Sequence, residues 1–228
     1  MAFASTASAA QVAPFRVGIV CGSQRTVRAG PQITDFVRRI IQAELDMSGA
    51  AVERAAPIIL DDIDVAALNL PLYGETGIPS QIRSSDGYDQ EHTRAWSRRV
   101  AALDAFVFVT PQYNWGVPAG LKNAIDHLFN EWKGKPALVV SYGGHGGDKA
   151  AAALQLILGG GLHMRMAAEP VCLTFPDRAV VAKASMGLDL GLDPAEGSMW
   201  QDKVDDITRA WGQLVALSFP EVETVVPV

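Results

Sequence analysis

The sequence contains few cysteines. Its 228 residues include only Cys21 and Cys172, which lie far apart and outside any C-x-x-C motif. This spacing indicates neither a disulfide framework nor a zinc site, so no bound metal is expected. A reducing, cytoplasmic setting fits this cysteine usage best.

Basic clusters and long apolar runs are absent as well. Lysine and arginine total 19 against 25 acidic residues, which gives a formal net charge of -6. Nucleic acid is therefore not an expected partner. No segment approaches the roughly 20 consecutive apolar residues that cross a bilayer. We expect a soluble protein without membrane association.

The chain is predicted to form one folded unit between two tails. Residues 1–14 lack charged side chains and a long apolar run, which indicates a flexible N-terminal tail and not a secretory signal. With 49% hydrophobic residues, the remainder can bury one sizeable core. We expect a single domain over residues 15–217 and a C-terminal tail over residues 218–228.

Apolar strand patterns alternate with helical patterns along this domain. Strands are expected at residues 15–21, 56–60, 105–109 and 137–142 and within 165–173, where Pro170 indicates a bulge, a break or an edge position. This alternation predicts a doubly wound α/β sandwich with a five-stranded parallel sheet in the order 2-1-3-4-5. Residues 68–89 form a long irregular loop, and residues 176–197 are expected to be a surface excursion.

The stretch Thr110–Pro118 joins the buried third strand to an amphipathic helix. It holds two aromatic rings, two carboxamides and two prolines, namely Tyr113, Trp115, Gln112, Asn114, Pro111 and Pro118. Rings offer a stacking surface, amides can bond a heterocycle edge, and prolines remove backbone freedom. The pattern indicates a ligand-binding turn, although a rigid loop with an aromatic anchor explains it equally well.

The first strand ends in a loop suited to an anion. Residues 22–30 combine Ser23, Arg25 and Arg28 with the start of a helix, where free N–H groups and guanidinium groups favour a phosphate. The loop matches neither G-x-G-x-x-G nor G-x-x-x-x-G-K-[ST], which counts against a dinucleotide or a nucleoside triphosphate. The alternative is that both arginines are ordinary solvated loop charges.

The fourth strand ends in Gly143-Gly144-His145-Gly146-Gly147. Glycines let a backbone approach a flat ligand closely, and His145 is either a donor to that ligand or an exposed loop residue. A parallel sheet places the loops after strands one, three and four at the same edge. Together they predict one site for a mononucleotide with a large planar ring, and FMN fits this description.

The same motifs resemble the NAD(P)H-dependent FMN reductase and quinone reductase family of the flavodoxin superfamily. The similarity extends from about Arg16 to Leu173, and its most specific part begins at Pro111-Gln112-Tyr113-Asn114-Trp115. The chain departs from many relatives at Gln112, where they carry glutamate, and at Arg28, where they carry a hydroxyl residue.

The resemblance implies a flavodoxin-like fold and a set of FMN-binding residues. Ser23, Arg25 and the helix start near Gln32 and Ile33 are expected to hold the phosphate. Arg28, which departs from the family, either adds affinity for the phosphate or repositions the loop. Pro111, Gln112, Tyr113, Asn114 and Trp115 are expected to surround the isoalloxazine with Gly143, Gly144 and His145. Relatives are commonly dimers or tetramers, so a homodimer or homotetramer is expected.

The expected activity is hydride transfer from NAD(P)H to FMN and onward to a quinone or similar acceptor. Because the cofactor carries this chemistry, no catalytic side chain is expected, and backbone N–H groups of Gly143 and Gly144 would stabilise charge on the ring. One alternative is a flavodoxin-type electron carrier, which NAD(P)H would not reduce rapidly. Another is a flavin-free regulatory protein on the same fold.

Overall fold

The computed structural model describes residues 12–49, 56–194 and 197–220. The predicted tails fall largely outside these ranges, since residues 1–11 and 221–228 are not described. The strands are β1 Phe15–Cys21, β2 Ile58–Asp64, β3 Ala105–Pro111, β4 Pro136–Gly143, β5 Arg165–Met166 and β6 Val171–Thr174. The helices are α1 Gly30–Gly49, α2 Val65–Leu68, α3 Glu91–Ala101, α4 Ala119–Asp126, α5 Asp148–Gln155, α6 Arg178–Ser185 and α7 Val204–Ser218.

The sheet confirms the predicted topology. Its order is β2-β1-β3-β4-β5, with β6 also paired to β4, and all of these pairs are parallel. β3 lies at the centre and is buried at every position, which explains its unbroken apolar sequence. One core forms between the sheet and helices α1 and α7, and the other between the sheet and helices α3, α4 and α5.

The second strand was predicted over residues 56–60, on the assumption that Asp61 and Asp62 end it, and this was wrong because β2 continues to Asp64. Its two internal aspartates are tolerated since β2 is an edge strand that leaves them partly in water. Arg16 donates to both Asp61 carboxylate oxygens at 2.9 and 2.7 Å. Arg38 lies 3.2 Å from Asp62. These ion pairs thus allow β2 to include two consecutive acidic residues.

The fifth strand position is filled by two short strands. β5 pairs with Pro136 and Ala137 at the start of β4, whereas β6 pairs with residues 140–143 at its end. Pro170 lies between them and has no N–H group for a sheet hydrogen bond, so the predicted interruption is confirmed.

The two regions predicted to be irregular, residues 68–89 and 176–197, both contain ordered structure. In the 68–89 loop, Asn123 of α4 accepts from the Tyr73 N–H and donates to the Pro71 carbonyl, both at 2.8 Å. The 176–197 stretch contains α6, whose preceding residue Asp177 accepts from the Val180 N–H at 2.8 Å. In the described ranges, no helix is long and apolar enough to cross a membrane.

Lys135 connects the start of β4 to the end of α3. Its Nζ donates to the carbonyls of Val100 at 2.8 Å and Ala101 at 3.3 Å, and it lies 5.8 Å from the Phe106 ring centroid. Burial lowers the pKa of Lys135 to about 8. Its positive charge is favourable beside a helix C-terminus, but removing that charge from water is unfavourable.

We expect Lys135 to make stability rise with pH between about 8 and the ordinary lysine pKa of about 10.4. In that window the unfolded chain binds more protons than the folded one. Urea unfolding of the wild type should show a free energy of unfolding roughly 1 kcal/mol higher at pH 9.5 than at pH 7.5, relative to Lys135→Met. The exposed Lys133 provides the control, and Lys133→Met should keep the wild-type slope. Equal slopes in all three proteins would contradict the assignment.

Candidate functional site

The loops after β1, β3 and β4 converge on one cleft at the carboxyl edge of the sheet. The cleft has a volume of about 220 Å³ and opens to solvent. Its walls come from the three predicted loops and from α6. The lining residues are Arg25, Val27, Arg28, Ala29, Pro111, Gln112, Tyr113, Tyr142, Gly143, Gly144, Phe175, Val181, Ala184 and Ser185.

Arg25 connects the first loop to the second. Its guanidinium carbon lies 4.3 Å from the centroid of the Tyr113 ring, in a cation–π contact. Both residues line the cleft, and the Arg25 side chain is exposed. The Tyr113 ring therefore holds the Arg25 guanidinium at the cleft, where this positive charge stays accessible to a ligand.

Ser23 and Arg28 are directed into the protein. The Ser23 side chain is 1% exposed, and its Oγ accepts from Arg28 Nη1 at 3.2 Å. Arg28 also donates to the Ser23 carbonyl at 2.9 Å and to the two Asp64 carboxylate oxygens at 2.9 and 2.7 Å. This hydrogen bonding raises the pKa of Arg28 and lowers the pKa of Asp64. The guanidinium of Arg28 is therefore used to fix the loop onto the end of β2.

The start of α1 packs directly against Ser23. A methyl group on Gly30 would lie 1.9 Å from Ser23 Oγ, so only glycine permits this approach. Ile33 is fully buried between α1 and the sheet, and its N–H donates to the Ala29 carbonyl at 3.1 Å. Gln32 donates through Nε2 to the Leu188 carbonyl at 3.0 Å and accepts through Oε1 from the Leu190 N–H at 2.9 Å. Neither Gln32 nor Ile33 lines the cleft.

The second loop forms a tight hairpin. Tyr113 and Gly116 exchange two backbone hydrogen bonds of 3.1 and 3.0 Å, which leaves Asn114 and Trp115 at the tip. Their φ angles are 47° and 66°, the positive values of a type I′ turn. Asparagine adopts this conformation readily, but tryptophan does so at a cost. The Trp115 side chain is 69% exposed, and Lys149 Nζ lies 5.8 Å from its ring centroid.

Gln112 connects the hairpin to α5. Its Oε1 accepts from the N–H groups of Lys149 at 3.0 Å and Ala150 at 3.2 Å, which lie in the first turn of α5. The side chain thus gives the Ala150 N–H an acceptor at the helix start, and it shares the Lys149 N–H with Asp148 Oδ1, which lies at 2.8 Å. Gln112 and the neighbouring Pro111 both line the cleft.

The glycine loop has a constrained part and an open part. Gly147 has a φ of +78°, and a methyl group on it would lie 3.0 Å from Ser141 and Tyr142 atoms, so the turn requires glycine. Around Gly143 and Gly144, by contrast, an added methyl group would meet nothing nearer than 3.9 and 4.0 Å. Their backbone faces the cleft, and His145 is exposed but does not line it.

Several lining residues were not predicted from the sequence. Tyr142 is buried beneath the first loop, and this burial raises the pKa of its phenol. Its position just before the glycine loop was a signal that could have identified it. Phe175 and the α6 residues Val181, Ala184 and Ser185 also line the cleft, although the polar stretch containing α6 carried no such pattern.

The described residues fit FMN and offer no metal site. Arg25, stacked on the Tyr113 ring, would provide a phosphate end, and the open backbone of Gly143 and Gly144 would provide a planar end. These are the groups that a flavin mononucleotide requires. In the described ranges, no cluster of three or more His, Cys, Asp or Glu side chains could hold a metal ion.

Comparisons with known proteins agree with this geometry. Two curated relatives are NAD(P)H-dependent FMN reductases from yeasts. The Saccharomyces cerevisiae protein is 50% identical over 147 residues, covering 64% of this chain and 74% of the relative. The Schizosaccharomyces pombe protein is 42% identical over 166 residues, covering 73% of this chain and 76% of the relative. An Escherichia coli quinone reductase is 34% identical over 149 residues, covering 63% and 69% of the two chains.

Solved structures share the fold. An oxidoreductase from Corynebacterium diphtheriae superposes with a TM-score of 0.61 at 15% identity, covering 92% of this chain and 99% of that chain. The flavoenzyme NAD(P)H:acceptor oxidoreductase of Paracoccus denitrificans superposes with a TM-score of 0.55 at 21% identity, covering 90% and 95%. These likenesses confirm the predicted flavodoxin-like architecture.

The family described as NADPH-dependent FMN reductase matches residues 15–174, which include all three loops of the cleft. The chain therefore belongs to the NADPH-dependent FMN reductase family and is an oxidoreductase that uses FMN and NAD(P)H.

Proposed function

We propose that the cleft binds FMN, that NAD(P)H reduces it by hydride transfer, and that a quinone or similar planar acceptor takes the electrons. The observation that carries this proposal is the convergence of three loops distant in sequence on one cleft. Arg25 over Tyr113 forms one end, and the open backbone at Gly143 and Gly144 forms the other.

At the phosphate end, Arg25 supplies the positive charge. Its side chain is exposed, whereas the guanidinium of Arg28 is bonded to Asp64. We infer that Arg25 contacts the phosphate directly and that Arg28 shapes the loop around it. Ser23 acts in the same indirect way, because its hydroxyl is buried against Arg28. The role predicted for Gln32 would have to come from its backbone N–H, and the structure does not favour the role predicted for Ile33, because the Ile33 N–H already donates to the Ala29 carbonyl at 3.1 Å.

At the planar end, protein groups would orient the ring and set its electronic environment. FMN, when bound, supplies the two-electron chemistry, so no side chain has to act as a nucleophile. The N–H groups of Gly143 and Gly144 would donate to the ring edge, and Pro111, Gln112 and Tyr113 would limit its movement. Fixed N–H dipoles stabilise negative charge that develops next to them.

The hairpin tip suits a second substrate. Trp115 is held exposed in a left-handed backbone conformation, and Lys149 lies beside its ring. A flat apolar surface can stack on a nicotinamide or a quinone. The Lys149 ammonium is paired with Asp148 at 2.8 Å, so the indole ring is the group that suits a planar substrate. We propose that Asn114, Trp115 and the exposed His145 contact NAD(P)H or the acceptor.

The expectation of a homodimer or homotetramer in the cytoplasm stays a prediction. Leu72 is 87% exposed and Ile78 is 60% exposed, and both lie on the ordered 68–89 loop. Exposed apolar side chains on an ordered loop are suited to contact with a second subunit.

The direct test of this activity is anaerobic spectroscopy with added FMN. Binding should shift the flavin absorbance, NAD(P)H should bleach it within a stopped-flow experiment, and a quinone should restore it. Bound flavin that is not rapidly bleached would favour a flavodoxin-type electron carrier. Absence of FMN binding would favour a flavin-free regulatory protein.

Arg25→Ala should weaken FMN binding by about ten- to a hundred-fold, since a hydrogen bond to a charged group is lost. Riboflavin lacks the phosphate, so its affinity should change little. Isothermal titration with both ligands measures this difference. Arg209→Ala provides the control, because Arg209 is exposed on α7 and bonds Asp206. An equal loss of riboflavin affinity would show that Arg25 acts through Tyr113 and not through the phosphate.

Gln112→Ala should lower the free energy of unfolding by about 1 kcal/mol, because the Ala150 N–H loses its acceptor, whereas the Lys149 N–H keeps Asp148 Oδ1 at 2.8 Å. Gln112→Glu should keep wild-type stability, since a carboxylate accepts the same bonds and is favourable at a helix N-terminus. Urea unfolding compares the three proteins. Equal stabilities for alanine and glutamine would contradict the proposed connection between the hairpin and α5.

A further inference from the structure

A segment outside the family match supplies one wall of the cleft. The match ends at Thr174, yet Phe175, Val181, Ala184 and Ser185 all line the cleft. Three of these residues belong to α6. The segment therefore takes part in the site without belonging to the region that defines the family.

This segment, residues 178–192, runs from the planar end of the cleft to its phosphate end. A methyl group on Gly144 would lie 4.0 Å from Val181 Cγ2, so the middle of α6 borders the glycine loop. A methyl group on Gly187 would lie 3.0 Å from Val27 Cγ1 and 3.5 Å from the Arg28 nitrogen. The turn after α6 therefore rests on the phosphate loop, and the segment follows the length expected of a mononucleotide.

Two side chains of α1 fix the far end of this segment. Gln32 bonds the Leu188 carbonyl and the Leu190 N–H, at 3.0 and 2.9 Å. Arg39 lies two helical turns later on the same face, and its Nη2 donates to the Leu192 carbonyl at 2.7 Å. Both contacts join a side chain to backbone more than 150 residues away. They attach the segment to α1 while leaving α6 itself over the cleft.

We propose that residues 178–192 form a clamp that closes one side of the cleft and slows the release of FMN. Gln32 and Arg39 are the positioning residues of this clamp. The inference rests on FMN binding as proposed above, and it assigns Gln32 a role without contact to the phosphate. A ligand that packs along a wall held in place dissociates more slowly than one that lacks this contact, so FMN would be a resident group and not a diffusible product.

The test measures FMN dissociation from the full chain. Gln32→Ala and Arg39→Ala should each raise the dissociation rate by about ten-fold or more, because each removes hydrogen bonds that hold the clamp. FMN release is followed by its fluorescence after dilution into an excess of a competing apoflavoprotein. The far-ultraviolet spectrum and urea midpoint of each variant establish that it is folded.

Two variants on the same helix are matched controls. Gln42 donates to Asp46 within α1 at 2.9 Å, so Gln42→Ala leaves the clamp attached. Asp35 pairs with Arg39 at 3.0 Å, so Asp35→Ala removes the ion pair and keeps the Leu192 contact. Both should release FMN within two-fold of the wild-type rate, because an exposed ion pair contributes little.

The outcomes separate the clamp from the proposed function. A wild-type chain that does not bind FMN overturns both. If the wild type binds FMN and both clamp variants release it at the wild-type rate, only the clamp is overturned. If Gln32→Ala alone accelerates release, Gln32 contacts the phosphate and the clamp is again overturned.

Limited proteolysis gives a second readout that does not need the variants. Lys183 is exposed on α6, where trypsin can cleave. Saturating FMN should slow cleavage after Lys183, and it should not protect the exposed Lys133 at the opposite edge of the sheet. Cleavage after Lys183 that is unchanged by FMN would overturn the clamp.

Discussion

Parallel hydrogen bonding between β1, β3 and β4 decides where the functional groups of this protein lie. Cys21 pairs with Val109, and Thr110 pairs with Ser141, so the strands leave the sheet within a few residues of one another. The loops that follow must therefore meet, whatever their sequences. The register of the central sheet, and no single side chain, brings Arg25 onto Tyr113 and both beside the glycine loop.

The convergence of the loops could be predicted because it follows from local patterns. An unbroken apolar run identified β3, and glycine-rich or proline-rich stretches marked the strand ends. The limits of β2 could not be predicted in the same way. Asp61 and Asp62 look like a strand terminator until Arg16 and Arg38 are known to neutralise them, and both arginines belong to other elements.

Side-chain direction was the second limit of prediction. The sequence shows that Arg28 can bind an anion, but not that its anion is Asp64, 36 residues away. Gln32 likewise has a carboxamide suited to phosphate, and the structure pairs it with backbone at Leu188 and Leu190. Helix α6 was missed because its sequence is rich in alanine and polar residues and lacks a strong apolar stripe. The residue type alone shows which hydrogen bonds a side chain can make, whereas the group that it actually contacts depends on the complete fold.

The left-handed backbone conformation of Trp115 lowers the stability of this protein. A glycine would occupy its left-handed position without strain, so tryptophan lowers stability there by an amount on the order of 1 kcal/mol. The indole makes no buried contact that offsets this loss, since most of its surface faces solvent. If Trp115 contacts the second substrate as proposed, selection for thermal stability and selection for turnover act in opposite directions on this residue.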